Sequence, residues 1–201
     1  QVDIAYRHRV SRILKNGQWW AEVESPDAVV KVGAKVFINA AGLGAAELSN
    51  LALGTQRYEH RFCRGRYFTL PASYRNRFRC LVYPVPQKDG LGVHVTLDLE
   101  GFVRLGPDVD WCLGTPYSKV DDLYECDWQS LRPIFRQAAA RLIPGLRREE
   151  LQPGLIGVRP KLFVDGVAHS DFLVENKGGF IHCLGIESPG LTASLAIADR
   201  I

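Results

Sequence analysis

Three stretches of the chain carry residue types that could do chemistry. In Gly157-Val158-Arg159-Pro160-Lys161-Leu162, a guanidinium stands on an otherwise apolar segment between a glycine and a proline. Arginine keeps its charge and offers a planar fork that matches a carboxylate with two parallel hydrogen bonds, so Arg159 is a candidate clamp for an acid substrate. A plain salt bridge is the other use of such a residue. His94, in "GLGVHVTLDL", sits in mid-strand with Val93 and Val95 toward the other face. Its imidazole could take the proton of a substrate hydroxyl near neutral pH, or serve as a hydrogen-bonded core histidine.

The third stretch is "FIHCLGIESPGLTASLAIADRI". A strand runs into Gly185, a Glu187-Ser188-Pro189-Gly190 turn follows, and a helix is expected from about Leu191, opened by Thr192. A helix start of this kind gathers unpaired N–H groups and the positive end of the dipole. It would suit phosphate or the electron-rich edge of a reduced flavin, or be an ordinary strand-turn-helix connection. "INAAGLGAAELS", residues 38–49, has the same outline. An apolar run, Val36-Phe37-Ile38, leads to Gly42-x-Gly44 and a helix from Ala45, with Glu47 where a dinucleotide fingerprint would have its third glycine.

The elements that must position these residues fall into three textures. Residues 1–55 read as short strands, among them "GQWWAEVES", then an apolar "VGAKVFINAAG" strand of the parallel, doubly covered kind and a short "AAELSNLAL" helix. In residues 56–150, "RYFTLP", "RCLVYPVP" and "LGVHVTLDLEGFVRLGP" alternate with period two, with hairpin signals at Lys88-Asp89-Gly90 and Glu100-Gly101. A helix follows, capped by Asp127, with Leu131, Ile134, Phe135 and Leu142 as its apolar face and Pro144-Gly145 as its stop. Residues 151–201 return to the first texture. The reading is a mixed α/β (α+β) chain in which the outer stretches form one domain and an antiparallel-sheet domain is inserted between them.

Bulk properties set limits. A hydrophobic content of 46%, 23% charged residues and a net charge of +3 describe a globular chain with no demand for a polyanionic partner. Seven arginines between Arg57 and Arg79, interleaved with aromatics, suit a solvated basic sheet face, guidance of a dianionic substrate, or single-stranded nucleic acid, the weakest of the three. No apolar run approaches the ~20 residues of a membrane span. The five scattered cysteines form no CxxC, so neither a metal site nor a disulfide framework is expected and a reducing, cytoplasmic setting is. With no methionine, a strand-like opening and an end inside an apparent helix, the chain reads as a fragment of a longer protein.

Together "YPVPQKDGLGVHVTLDLEGFVRLGPDVDW", "GVRPKL" and "GIESPGLTASLAIADRI", in this order and spacing, resemble FAD-dependent oxidoreductases of the D-amino-acid oxidase/glycine oxidase superfamily, nearest its L-2-hydroxyglutarate dehydrogenase/oxidase branch. The resemblance implies part of a Rossmann-type FAD-binding domain, residues 1–55 and 151–201, interrupted by a substrate-binding domain, residues 56–150. It implies non-covalent FAD held by Val10, by Ala40, Ala41 and Gly42, and by Gly185, Ile186, Glu187, Ser188, Pro189, Gly190, Leu191 and Thr192. Arg159 would hold the substrate carboxylate, with Tyr83, His94 and Lys161 on the substrate side and His94 as the base.

The activity implied is oxidation of a 2-hydroxy acid, with oxygen or a quinone as electron acceptor and a cytoplasmic or inner-membrane-peripheral location. An amino-acid or amine oxidase of the same fold and a non-catalytic binding module are the alternatives. The family's N-terminal GxGxxG and its ribose-binding acid do not occur in the 201 residues, so the fragment alone is expected to bind FAD poorly.

Overall fold

The computed structural model describes residues 2–85 and 92–201, and the Lys88-Asp89-Gly90 turn lies outside them. The chain divides into two compact units, Gln1–Arg61 with Pro160–Ile201, and Phe62–Arg159. Strands β1 (Arg9–Asn16), β2 (Gln18–Glu24), β3 (Val29–Ala34) and β4 (Phe37–Asn39) and helix α1 (Ala45–Leu53) open the first unit. Strand β5 (Tyr58–Thr69) carries the chain into the second unit, which holds β6 (His94–Leu97), β7 (Val103–Gly106), β8 (Asp110–Cys112) and helix α2 (Trp128–Ala139). Strand β9 (Gln152–Val164) carries it back to β10 (Val167–Ala168), β11 (Leu173–Asn176), β12 (Phe180–Leu184) and a short α3 (Ser194–Ala198).

In the first unit, β1-β2-β3 form an antiparallel sheet whose alternation is visible in β2, where Trp19 and Ala21 are buried and Trp20 faces out. Trp19 packs with Ile13 and Phe180 and donates its indole N–H to Gly178 O at 2.9 Å. A second sheet has the order β11-β12-β4, with all five residues of the central β12 buried. Strand β12 runs parallel to β4, pairing Phe180 with Phe37 and His182 with Asn39. Parallel pairing sends the loops that follow both strands to the same end of the sheet, where open α/β sheets bind their ligands. Helix α1 closes this unit through Ala45 and Ala46, which pack with Tyr58, Leu162 and Leu184.

In the second unit, β9, β5, β7 and β6 are neighbours in that order and β8 pairs with β5. Helix α2 is held against this sheet by Leu131, Phe135 and Ala139, which join Phe68, Val95, Val103 and Leu105 in the core. The Phe135 and Phe68 rings meet edge to face at 4.8 Å. Asp127 caps the helix as expected, accepting from Gln129 N and Ser130 N. The turn at Glu100-Gly101 forms between β6 and β7, with Gly101 at φ 81° and the Asp98 carboxylate accepting from Glu100 N and Phe102 N.

Five expectations are corrected. The "VGAKVFINAAG" segment is two strands: Gly33 and Ala34 end an antiparallel pairing with Trp20 and Trp19, and only Phe37–Asn39 pairs parallel. It is not doubly covered, because β4 is an edge strand that leaves Val36 and Ile38 53% and 50% exposed. Among the described residues of "RCLVYPVP", 79–85, there is one bridge, Val82 to Val95, instead of a strand, as Pro84 lacks the N–H that a ladder needs. Ile134 lies off the apolar face of α2 and is 58% exposed, and the helix ends at Ala139, five residues before Pro144.

Candidate functional site

The two loops at the end of the β4·β12 pair are built from small residues on a polar scaffold. After β4, Ala40, Ala41 and Gly42 are exposed, and Gly42 takes the left-handed φ of 55° as the chain turns into α1. A side-chain carbon added at Gly42 would meet nothing within 4 Å, so the backbone there faces open space. Buried Asn39 fixes the turn. Its side-chain oxygen accepts from Ala41 N at 3.2 Å, while its amide donates to Ala45 O at 2.8 Å and Ser49 Oγ at 2.9 Å. The Glu175 carboxylate accepts from His182 Nε2–H at 3.3 Å, so in the neutral ring Nδ1 accepts from the Ser49 hydroxyl at 3.1 Å. Burial pushes the His182 imidazole below its ordinary value, against the raising effect of Glu175, which favours this neutral arrangement.

After β12, Gly185 turns at φ 64°, with Leu162 against the position a side chain would take. Glu187 is held by Lys161, Nζ to Oε1 2.5 Å. Ser188, Pro189, Leu191 and Thr192 are exposed, Leu191 to 90%. The helix expected from Leu191 starts three residues later and spans only Ser194–Ala198. The segment before it is a run of turns, with Gly190 N–H donating to Glu187 O, Ala193 N–H to Pro189 O and Ser194 N–H to Leu191 O, and the Thr192 hydroxyl donates to Pro189 O. Five residues give no useful macrodipole, so this loop offers backbone and small side chains and lacks the helix terminus expected at Thr192.

A histidine that sequence reasoning passed over connects the two loops. His60 on β5 places Nδ1 3.1 Å from Leu43 O, in the turn after Gly42, and its Nε2 accepts the Gly185 N–H at 3.2 Å. Burial pushes this imidazole down as well, opposed only by the Leu43 carbonyl. Nothing in "RYEHRF" marks His60, because its partners are backbone groups far away in sequence. Val10 lies in the same unit, half-buried on β1 and packed beside the Ile13, Trp19 and Phe180 cluster.

The second unit gathers the other candidates. Buried His94, 5% exposed, pairs across β6·β7 with Gly106 and stacks on Tyr83, with ring centroids 4.1 Å apart. Its Nδ1 lies 2.9 Å from Gly92 O, and a carbonyl can only accept, so Nδ1 carries the hydrogen and Nε2 the lone pair of the neutral ring. A side chain at Gly106 would collide with the Tyr67 ring, which places that ring over His94's strand partner. The Tyr67 phenol is pushed up mainly by burial, with Arg159 lowering and Tyr83 raising it. Tyr67 lies within electrostatic reach of both Arg159 and Tyr83. It reads in the sequence as one aromatic among several.

The arginine-rich stretch is largely committed to carboxylates. Arg57 pairs with Asp165, Arg61 with Glu59, Arg64 with Asp110, and Arg66 with Asp108 and Asp110. Arg75 and Arg77 lie over the rings of Phe102 and Tyr74. Among the described residues no cluster of His, Cys, Asp or Glu is arranged to hold a metal ion, and no helix is long and apolar enough to cross a membrane. Cys80, Cys112, Cys126 and Cys183 form no disulfide.

Comparison with known proteins gives a consistent result. The family described as DAO, FAD dependent oxidoreductase, matches residues 1–201. The chain is 38% identical over 189 residues to the mitochondrial L-2-hydroxyglutarate dehydrogenase of Arabidopsis thaliana, covering 87% of this chain and 38% of that protein. It is 27% identical over 172 residues to the glycerol 3-phosphate dehydrogenase of Caloramator mitchellensis, covering 82% and 32%. Among solved structures, the FAD-bound L-alpha-glycerophosphate oxidase of Mycoplasma pneumoniae shares the fold with a TM-score of 0.77 and 24% identity, over 96% of this chain and 48% of that one. The chain spans less than half the length of these relatives.

Proposed function

Because the chain belongs to the DAO family of FAD-dependent oxidoreductases, we propose that its protein oxidises a 2-hydroxy acid of the L-2-hydroxyglutarate kind to the 2-oxo acid. In this reading the first unit holds FAD and the second holds substrate. The first unit's loops suit that cofactor: Gly42 opens onto free space, Ala40 and Ala41 keep the backbone approachable, and exposed Leu191 offers apolar surface for a ring system. Gly185 to Thr192 would hold the flavin side, Ala40 to Gly42 and Val10 the nucleotide side. Bound there, FAD would supply the acceptor for hydride from the substrate carbon.

The chain's own groups do the rest. Arg159 clamps the substrate carboxylate with two charge-assisted hydrogen bonds and so fixes the reacting carbon. Tyr67 and Tyr83 line the site, and Lys161, held by Glu187, keeps that loop in place. As hydride leaves carbon, the substrate hydroxyl must lose its proton, and His94 takes it at Nε2. The observation that carries this reading is the His94 Nδ1 contact to Gly92 O, which leaves Nε2 as the basic nitrogen. The Arabidopsis relative supports the hydroxy acid as substrate. FAD bound there would need a second electron acceptor, oxygen or a quinone, and turnover in oxygen against turnover with a soluble quinone separates the two.

Glycerol 3-phosphate is the second reading, favoured by the names of the Caloramator and Mycoplasma proteins. The full-length protein should be offered L-2-hydroxyglutarate, glycerol 3-phosphate, glycine, sarcosine and D-amino acids, with carbonyl products identified. Formation of 2-oxoglutarate with the others inert is the expected result. Turnover of glycerol 3-phosphate or of an amine in its place overturns the proposal.

A further inference from the structure

We propose that His60 is a positioning residue that, as a neutral imidazole, clamps the Leu43 turn to Gly185 and thereby sets the spacing of the two loops assigned to FAD. This rests on the flavin reading given above. The clamp has a direction. Nδ1 can only donate to the Leu43 carbonyl at 3.1 Å, and Nε2 can only accept from the Gly185 N–H at 3.2 Å. One tautomer of the neutral ring satisfies both bonds. A second proton would place N–H against N–H at Gly185 and open the clamp from that side.

No other side chain makes a hydrogen bond to both loops among the described residues. Loop spacing matters because a ligand held by two loops loses affinity when the loops must first be brought together. The charged groups nearest in sequence to His60, Leu43 and Gly185 are Glu59 and Arg61 on β5, Glu47 on α1 and Glu187 after β12, with Lys161 on β9 held by Glu187. Four of them form two closed pairs, Glu59 with Arg61 and Lys161 with Glu187. Burial lowers the His60 pKa from its ordinary 6.5, so the neutral clamp persists through neutral pH and opens only in acid.

The test is the dissociation constant of FAD from the full-length holoprotein, followed by flavin fluorescence from pH 8 down to pH 5, in wild type, His60→Ala and His60→Gln. Alanine should weaken FAD about tenfold at neutral pH, the fold-change for losing hydrogen bonds of this kind. Glutamine keeps an uncharged acceptor for Gly185, so it should stay within about threefold of wild type at neutral pH. Wild type should lose affinity in the acid range and His60→Gln should lose less. Imidazole nitrogen spectra of the holoprotein should show His60 as the Nδ1–H tautomer. Equal acid dependence in wild type and His60→Gln, or an Nε2–H tautomer, overturns the clamp while leaving the flavin reading intact. A full-length protein that binds no FAD at any pH overturns the flavin reading and the clamp with it.

Discussion

Tyr83 lies against His94 with ring centroids 4.1 Å apart and planes inclined by 25°, while the Gly92 carbonyl fixes the hydrogen on His94 Nδ1. The ring is thus held by its face and one nitrogen, and its remaining nitrogen is the basic one. If that nitrogen receives the substrate proton, His94→Asn keeps a donor for Gly92 and removes the base. The rate of flavin reduction should fall on the order of 10²- to 10⁴-fold with FAD content unchanged. An unaltered reduction rate would remove His94 from the mechanism.

Arg159 is assigned to the carboxylate, and lysine there keeps the charge but not the fork. Arg159→Lys should lower kcat/KM for the 2-hydroxy acid about tenfold to a hundredfold, with the flavin spectrum unchanged. Steady-state kinetics on the two proteins decide this. Equal kcat/KM would return Arg159 to the role of a surface cation.

Asn39 spends both ends of its amide on the turn after β4. Asn39→Ala leaves the Ala41 N–H without its partner and Ser49 short of a donor, at about 1–3 kcal/mol of stability. Urea unfolding should show that loss together with weaker FAD retention. Retention equal to wild type would separate this network from the cofactor.

His182 sets a pH dependence of stability whose sign follows from its environment. Burial lowers its pKa from the ordinary 6.5, so between the lowered and ordinary values the unfolded chain binds more protons than the folded one. Its contribution is therefore fully present above about pH 6.5 and is lost as pH falls through the folded-state value. Thermal melts from pH 8 to pH 5 should show a steeper acid loss in wild type than in His182→Asn, which cannot charge. Parallel curves would contradict the assignment.

Phe135 anchors α2 to the sheet of the second unit and has no exposed surface. Phe135→Ala should cost about 3–5 kcal/mol through the cavity it leaves, read from denaturant unfolding. Exposed Ile134 on the same helix should tolerate alanine within about 0.5 kcal/mol.

These residues also show what a linear sequence reveals. The alternation of Trp19 and Ala21, the cap at Asp127 and the all-buried β12 follow from local pattern, and the structure contains them. Ile134 departs from the expected apolar face, because an apolar residue type says nothing about which side of a helix finds a neighbour. The helix expected from Leu191 starts only at Ser194, because the Glu187–Gly190 and Pro189–Ala193 bonds fold the segment before it into turns. His60 and Tyr67 were not legible as site residues. Their roles depend on partners brought together by parallel pairing of β4 with β12 and by the bare backbone of Gly106.

Anaerobic mixing of the full-length holoprotein with L-2-hydroxyglutarate decides whether a 2-hydroxy acid reduces the flavin. Rapid loss of the oxidised-flavin absorbance is expected, with one equivalent of 2-oxo acid formed per flavin. Absorbance that stays constant with L-2-hydroxyglutarate but bleaches with glycerol 3-phosphate or an amino acid would contradict the proposal.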